Sequence, residues 1–145
     1  CVKGQRQCDM NITGDWVADG DKIMIKEDNC KTGIPKHGFP NGGLSLPATK
    51  DGTFYQIGDE DTPDNIRADA SAAIGGDKAN YQICWCDKRI NLCQLHQDFS
   101  NFVTVLRVDG PFGSQTKITY RGVRLTFTGL SGVNLEPGDR MNVIS

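Results

Sequence analysis

The sequence predicts an all-β fold: an antiparallel β-sandwich, Ig-like or Greek-key, with long loops and disulfide staples. Three observations support it. Short segments alternate apolar and polar residues, clusters of Gly, Pro, Asp and Asn separate them, and the chain holds 6 cysteines, an even number. Helical periodicity is nearly absent, and residues 62–73 allow at most a short turn of helix.

The predicted strands follow the period of two that places alternate side chains on opposite faces of a sheet. They are residues 8–13, 22–25, 53–57, 81–86, 102–108, 117–120, 123–128 and 140–144. A long loop rich in Gly and Pro is expected at residues 32–49. Loops of that length in compact domains tend to be functional or to pack against a neighbour.

An internal repeat relates the two ends of the chain. Residues 8–14 and 123–129 both read as an amphipathic strand followed by Gly. Residues 19–23 and 136–141 both contain Gly-Asp, then a basic and an apolar residue. The Gly-Asp pair fits a tight turn that enters the next strand. The period is about 115 residues, one domain's worth.

This repeat predicts the domain organisation. Residues 1–115 are expected to form a disulfide-rich β-sandwich module. Residues 116–145 are expected to form a strand pair equivalent to residues 1–30, either the start of a following repeat or intersubunit strands. The apolar residues predicted at that assembly interface are Val123, Leu125, Phe127, Met141 and Val143.

The repeat also favours one disulfide. At the repeat offset Cys1 aligns with Thr116 and Cys8 with Val123, so both cysteines are absent together from the second copy. Partners lost jointly are what a Cys1–Cys8 bridge predicts.

Four other cysteines, Cys30, Cys84, Cys86 and Cys93, allow three pairings. Cys84 and Cys86 share one strand face and need different partners. A hairpin over the short stretch that comes next favours Cys86–Cys93, which leaves Cys30–Cys84. A zinc site that uses these thiols and His96 is the alternative, although the spacing is not standard for tetrahedral zinc.

The cysteine-rich segment and the residues after it resemble a known family. The residues that carry the resemblance are Tyr81-Gln82-Ile83-Cys84-Trp85-Cys86, Cys93, Asp98-Phe99, the apolar segment 102–108, Gly110-Pro111 and the Gly-rich stretch 129–139. They are similar to the cysteine-rich modules repeated in giant surface and extracellular proteins of alveolates and algae, such as cysteine-rich modular proteins and mastigoneme-type filament proteins. The resemblance implies an extracellular structural or adhesive role without catalytic residues.

The composition of the chain limits the kinds of partner and the cellular location that we expect. The net charge is -2, with no basic stripe of the kind that nucleic-acid binders carry. No apolar run approaches the roughly 18 residues of a membrane span. Six cysteines and the sequon Asn11-Ile12-Thr13, a glycosylation candidate at Asn11, favour a secreted or cell-surface protein. The start on Cys1 predicts a processed chain or a segment of a longer one.

Catalytic motifs are missing from the sequence. His37 and His96 are its only neutral-pH bases, and neither sits in a recognised motif. We therefore expect a structural subunit of a filament or surface array that associates with itself, not an enzyme, and no cofactor.

Two features keep a ligand-binding alternative open. Trp16 is a candidate ligand contact, which would suit an adhesin or lectin that binds glycan or protein. The acidic run is the weak calcium candidate, through Asp59, Asp61 and Asp64.

Overall fold

The structure, a computed structural model, describes residues 1–68, 81–111 and 131–137. Strands dominate this part of the chain. They are β1 Cys8–Asn11, β2 Lys22–Glu27, β3 Phe54–Ile57, β4 Tyr81–Cys86, β5 Asn101–Leu106, β6 Gly110–Pro111 and β7 Gly132–Val133. A one-turn 3-10 helix lies at His96–Asp98, and Pro40–Gly43 forms a tight turn in which Asn41 and Gly42 have positive φ.

The strands form three small antiparallel sheets. β1 pairs with β3, β4 lies between β2 and β5, and β6 pairs with β7. The antiparallel, strand-rich and disulfide-bonded part of the prediction is confirmed. The described sheets are too small to confirm a sandwich or a Greek key.

Residues 44–48 join the first two sheets. The Ser45 N–H donates to the Ile23 carbonyl over 2.9 Å, and the Leu46 N–H donates to the Gln56 carbonyl over 2.8 Å. The expected long loop at residues 32–49 therefore lies along the edge of β2 and links it to β3. It lacks regular alternation because Pro35 and Pro47 have no N–H and several of its glycines have positive φ.

Strands β2 and β4 of the central sheet are buried on both faces, which explains the three consecutive apolar residues Ile23, Met24 and Ile25 of β2. One face packs into the larger core with β1 and β3, and the other packs against a cluster of disulfides. The buried members of the larger core are Cys8, Ile23, Ile25, Phe39, Ala48, Tyr55, Ile57, Ile66, Ala68, Tyr81, Ile83, Leu106 and Val108. The disulfide cluster contains Met24, Cys30, Cys84, Cys86, Cys93 and Phe99.

Three disulfides link Cys1 to Cys8, Cys30 to Cys84 and Cys86 to Cys93. This is the pairing that the sequence favours. All six cysteines are bonded, so no thiolate remains to ligate zinc, and the zinc alternative is wrong. Each bridge stabilises the fold by about 2–4 kcal/mol. Disulfides of this number indicate an oxidising compartment.

Strand β5 ends at Leu106, two residues before the predicted end at 108. Beyond it, the Asp109 N–H donates to the Cys1 carbonyl over 2.9 Å, and the Lys3 N–H donates to the Asp109 carbonyl over 2.9 Å. After β5 the chain therefore turns away from β4, and Asp109 pairs in parallel with Val2.

Several predictions fall partly or wholly outside the described residues. Residues 62–68 contain no helix, and residues 69–73 lie outside. The predicted strands 117–120, 123–128 and 140–144 also lie outside the described residues, and so does most of the second repeat copy. The predicted interface residues outside them are Val123, Leu125, Phe127, Met141 and Val143. Within the described ranges, no helix is long and apolar enough to cross a membrane.

Candidate binding surface

Four large apolar side chains project from two loops of the protein. Trp16 is 78% exposed, Ile90 78%, Leu92 79% and Leu95 65%. Trp16 lies on the connection from β1 to β2, and the other three lie on the connection from β4 to β5. We call these four residues the apolar patch. Large exposed apolar side chains on two loops are candidates for an interaction surface.

Asp21 holds the two loops together. Its carboxylate is fully buried, and Oδ2 accepts the Ala18 N–H over 3.0 Å, whereas Oδ1 accepts the Lys88 N–H over 3.0 Å. A buried charge needs such partners, because leaving it unpaired is strongly unfavourable. The Gly-Asp turn expected from the sequence is present, since the Asp21 N–H bonds the Ala18 carbonyl. The sequence does not predict the second task of Asp21, which is to join a distant loop.

Arg89 makes the second link between the loops. Its guanidinium donates to both carboxylate oxygens of Asp87, over 2.9 and 2.8 Å, and also to the Trp16 carbonyl. The hydrogen bond from Arg89 lowers the pKa of Asp87, so the pair stays ionised at neutral pH. The planar guanidinium can serve both partners at once. Arg89 thus fixes the backbone position from which Trp16 projects.

The backbone of Trp16 is strained. Its φ is 72°, in the left-handed region that bulky residues rarely adopt. Such a conformation costs about 1–3 kcal/mol and persists only where surrounding contacts enforce it. Here the enforcing contacts are the Arg89 bond to the Trp16 carbonyl and the Asp21 bond to Ala18. Backbone strain of this kind clusters at functional sites, so Trp16 is a candidate binding residue.

The second loop is fixed just as firmly. Cys86–Cys93 closes it, and the Asp87 carbonyl accepts the N–H groups of Ile90 and Asn91 over 3.1 and 3.0 Å. Further along, the Asp98 carboxylate accepts the Leu95 N–H over 3.1 Å. Residues 90–97 contain no Asp, Glu, Lys or Arg. Uncharged residues suit the centre of an interface, and the half-exposed Arg89 guanidinium lies between this segment and Trp16.

Sequence reasoning finds Trp16 and misses Ile90, Leu92 and Leu95. Ile90 and Leu92 lie in the stretch that the sequence predicts as a disulfide-closed hairpin, and nothing in that prediction marks them as exposed. The length of the loop is the signal that could have identified Ile90 and Leu92 as exposed. A loop closed by Cys86–Cys93 is too short to bury large side chains of its own. Trp85, in contrast, packs against the larger core opposite Cys84 and Cys86, as alternation predicts.

The other predicted site residues lie elsewhere. Asn11 is exposed at the end of β1, so a glycan has room there. The Asp59 carboxylate accepts a hydrogen bond from the Thr62 hydroxyl over 2.6 Å, which closes a turn. Asp61 and Asp64 do not join it, since among the described residues no three acidic, His or Cys side chains gather to hold a cation. The weak calcium prediction therefore has no site there.

An open hollow of about 690 Å³ lies beside the Cys1–Cys8 disulfide. Three of the polar side chains that line it, Arg6, Gln7 and Asp9, already have hydrogen-bond partners. Gln7 donates to both carboxylate oxygens of Asp9, and Arg6 donates to the Glu60 carbonyl. We therefore consider the hollow a weaker candidate for a binding site than the apolar patch.

No protein-family model matches the chain, and neither a curated protein nor a solved structure matches it.

Proposed function

We propose that the protein is a structural subunit or module of an extracellular filament or cell-surface array. It assembles by tandem or head-to-tail contacts between β-domains. The observation that supports this proposal best is the apolar patch, held on two cross-linked loops. The three disulfides support the extracellular setting, because structural disulfides persist in oxidising compartments.

The patch suits binding to protein. Large apolar and aromatic side chains provide most of the binding energy at protein interfaces, and charged side chains are depleted at their centre. The loops are already fixed by Asp21, Arg89 and Cys86–Cys93, so little conformational freedom is lost on association. We assign no catalytic role to the protein.

The predicted strands 123–128 and 140–144 are the second part of the proposal. Their alternating apolar residues would complete a β-sandwich or pair with a neighbouring subunit. The resemblance to repeated extracellular modules agrees with either arrangement.

Negative-stain microscopy of the purified chain tests the proposal. We expect filaments or ordered arrays for the wild type, and their loss in Leu125→Asp and Phe127→Asp, which change the predicted inward face. Thr126→Asp lies on the opposite face and is the matched control, expected to assemble. Dispersed particles for the wild type under all assembly conditions would contradict the proposal, and so would filaments that tolerate both apolar substitutions.

An adhesin or lectin is the second candidate, favoured by the exposure of Trp16. An aromatic ring that is 78% exposed offers a stacking face for a sugar. A glycan array separates the candidates. Glycan binding by the monomer that disappears in Trp16→Ala but survives in Leu92→Ser would favour the lectin.

A further inference from the structure

We propose that Asn11 carries an N-linked glycan whose first sugar packs against the ring of Phe54. This modification is independent of the proposed assembly, because it concerns the outward face of the sheet that β1 and β3 form. The sequon Asn11-Ile12-Thr13 alone is a weak signal, since such triplets often arise by chance. Exposure, strand register and an aromatic neighbour distinguish Asn11 from a chance match.

Asn11 lies on the solvent side of its strand. Side chains of residues 8–13 alternate, with the even-numbered residues packed into or against the larger core and the odd-numbered residues outside it and exposed. The amide of Asn11 and the hydroxyl of Thr13 are the two groups that define the sequon, and both therefore face water. The folded chain accommodates a glycan at this position without displacing any residue of the core.

The strand register places Phe54 directly opposite Asn11. The Ile12 N–H donates to the Thr53 carbonyl over 2.9 Å, whereas Phe54 exchanges its backbone hydrogen bonds with Thr49, over 3.0 and 3.1 Å. Asn11 and Phe54 therefore form a non-hydrogen-bonded pair, in which opposite Cα atoms lie about 4.5 Å apart and the side chains are closest. A sugar attached to Asn11 Nδ2 thus begins within reach of the Phe54 ring.

The ring of Phe54 is open to a ligand on this face of the sheet. Phe54 is half-buried, whereas its strand neighbours Tyr55 and Ile57 are fully buried on the opposite face. The Lys50 ammonium lies 4.3 Å from the centroid of the Phe54 ring, so a flexible and exposed side chain covers part of the ring. Such a contact between a surface cation and a ring is weak, and the apolar face of a sugar can replace it.

The transfer of the glycan requires an oligosaccharide donor linked to a lipid through a diphosphate. Asn11 Nδ2 attacks C1 of the first sugar, so that the Nδ2–C1 bond forms and the bond from C1 to the phosphate oxygen breaks. The lipid diphosphate leaves, and Nδ2 loses one proton to a base of the transferase. Ile12 at the middle position is permitted, because only proline is excluded there. The three disulfides indicate an oxidising compartment, which is where proteins meet such transferases.

Mass spectrometry of the chain secreted from a eukaryotic cell line tests for the modification. We expect a glycan on the peptide that contains Asn11 and on no other peptide through Asn, because residues 11–13 are the only Asn-x-Ser/Thr triplet in the sequence. Thr13→Ala should abolish the glycan. Thr13→Ser keeps the hydroxyl and is the matched control, which should retain it. An unmodified Asn11 in the secreted wild-type chain overturns the proposal.

Thermal unfolding of the chain after an endoglycosidase has trimmed the glycan to its first sugar tests the contact with Phe54. The midpoint should lie roughly 2–4 °C above that of the unglycosylated Thr13→Ala chain, the shift expected from one aromatic contact. Phe54→Leu keeps an apolar side chain but removes the ring, so it should abolish most of this difference. Phe102→Leu removes an exposed ring on β5 and is the matched control, which should preserve the difference.

The modification and the contact can fail separately. A one-sugar chain that is no more stable than Thr13→Ala leaves Asn11 as a glycosylation site and overturns the contact with Phe54. A gain in stability that persists in Phe54→Leu overturns the contact too. A gain that both Phe54→Leu and Phe102→Leu abolish also overturns it, because the effect of the sugar would then not be local.

Discussion

Replacing Asp21 removes the contact on which the geometry of the binding surface depends most. This buried carboxylate receives one backbone N–H from each of the two loops that carry the apolar patch. Asp21→Ala leaves the Ala18 and Lys88 N–H groups without an acceptor. Asp21→Asn keeps a single acceptor oxygen and turns an NH₂ group toward the other N–H.

The expected loss of stability comes from those two bonds. A hydrogen bond to a charged group contributes about 1.5–3 kcal/mol. Asp21→Ala should therefore lower the free energy of unfolding by about 3–6 kcal/mol, near the lower value if water reaches the vacated space. Asp21→Asn should lower it by about 1.5–3 kcal/mol. For a domain whose total stability is about 5–15 kcal/mol, the alanine variant is severely weakened.

Equilibrium unfolding in urea measures these losses, with disulfides intact. Asp19→Ala is the control, because the Asp19 carboxylate accepts one N–H, from Gly52 over 2.9 Å, and makes no link to the second loop. Asp19 is exposed, so water can replace the lost bond, and Asp19→Ala should change the free energy of unfolding by less than about 1 kcal/mol. If both Asp21 variants remain within about 0.5 kcal/mol of the wild type, Asp21 does not fix the two loops.

Three further predictions concern Arg89, Tyr55 and Lys26. In a Trp85→Phe chain, Trp16 is the only fluorescent tryptophan. In this background Arg89→Ala should lower the fluorescence anisotropy of Trp16, because the Trp16 carbonyl loses its hydrogen bond to Arg89. An unchanged anisotropy would contradict the anchoring role of Arg89. Burial, then the charge of Asp21, raises the pKa of Tyr55 to about 12, so the unfolded chain loses this proton first as pH rises above about 10. Unfolding free energy should then fall by about 2 kcal/mol between about pH 10 and 12, and Tyr55→Phe should remove that fall. Burial lowers the pKa of Lys26, so its contribution has the opposite sign: stability rises with pH up to about 10.5, and Lys26→Met should flatten that rise. Urea unfolding across this pH range checks both slopes, and identical slopes in the wild type and the variants would contradict both assignments.

Short-range patterns explain what the sequence predicts correctly. Alternation places Cys84 and Cys86 on one face, so they need separate partners, and the stretch from Cys86 to Cys93 suits a closed hairpin. The same alternation identifies the strands that form the central sheet. These features depend on neighbours along the chain, which a single sequence displays directly.

The binding surface depends instead on contacts that the sequence does not display. The Asp21 bond to Lys88 joins residues 67 positions apart, and the Arg89 bond to Trp16 joins residues 73 apart. Residues 44–48 neither alternate nor form a regular strand, yet the N–H groups of Ser45 and Leu46 donate to carbonyls of β2 and β3 and hold this segment in place. Tertiary contacts override local pattern in both cases.

The proposed function depends most on the apolar patch being the surface through which this protein meets its partner. Acrylamide quenching of Trp16 in the Trp85→Phe chain tests this dependence, in dilute solution and in the assembled state. If the patch is that surface, Trp16 is readily quenched when the chain is dispersed, and assembly makes it at least several-fold less accessible and shifts its emission to shorter wavelength. Equal quenching of Trp16 in both states would show that the partner binds elsewhere.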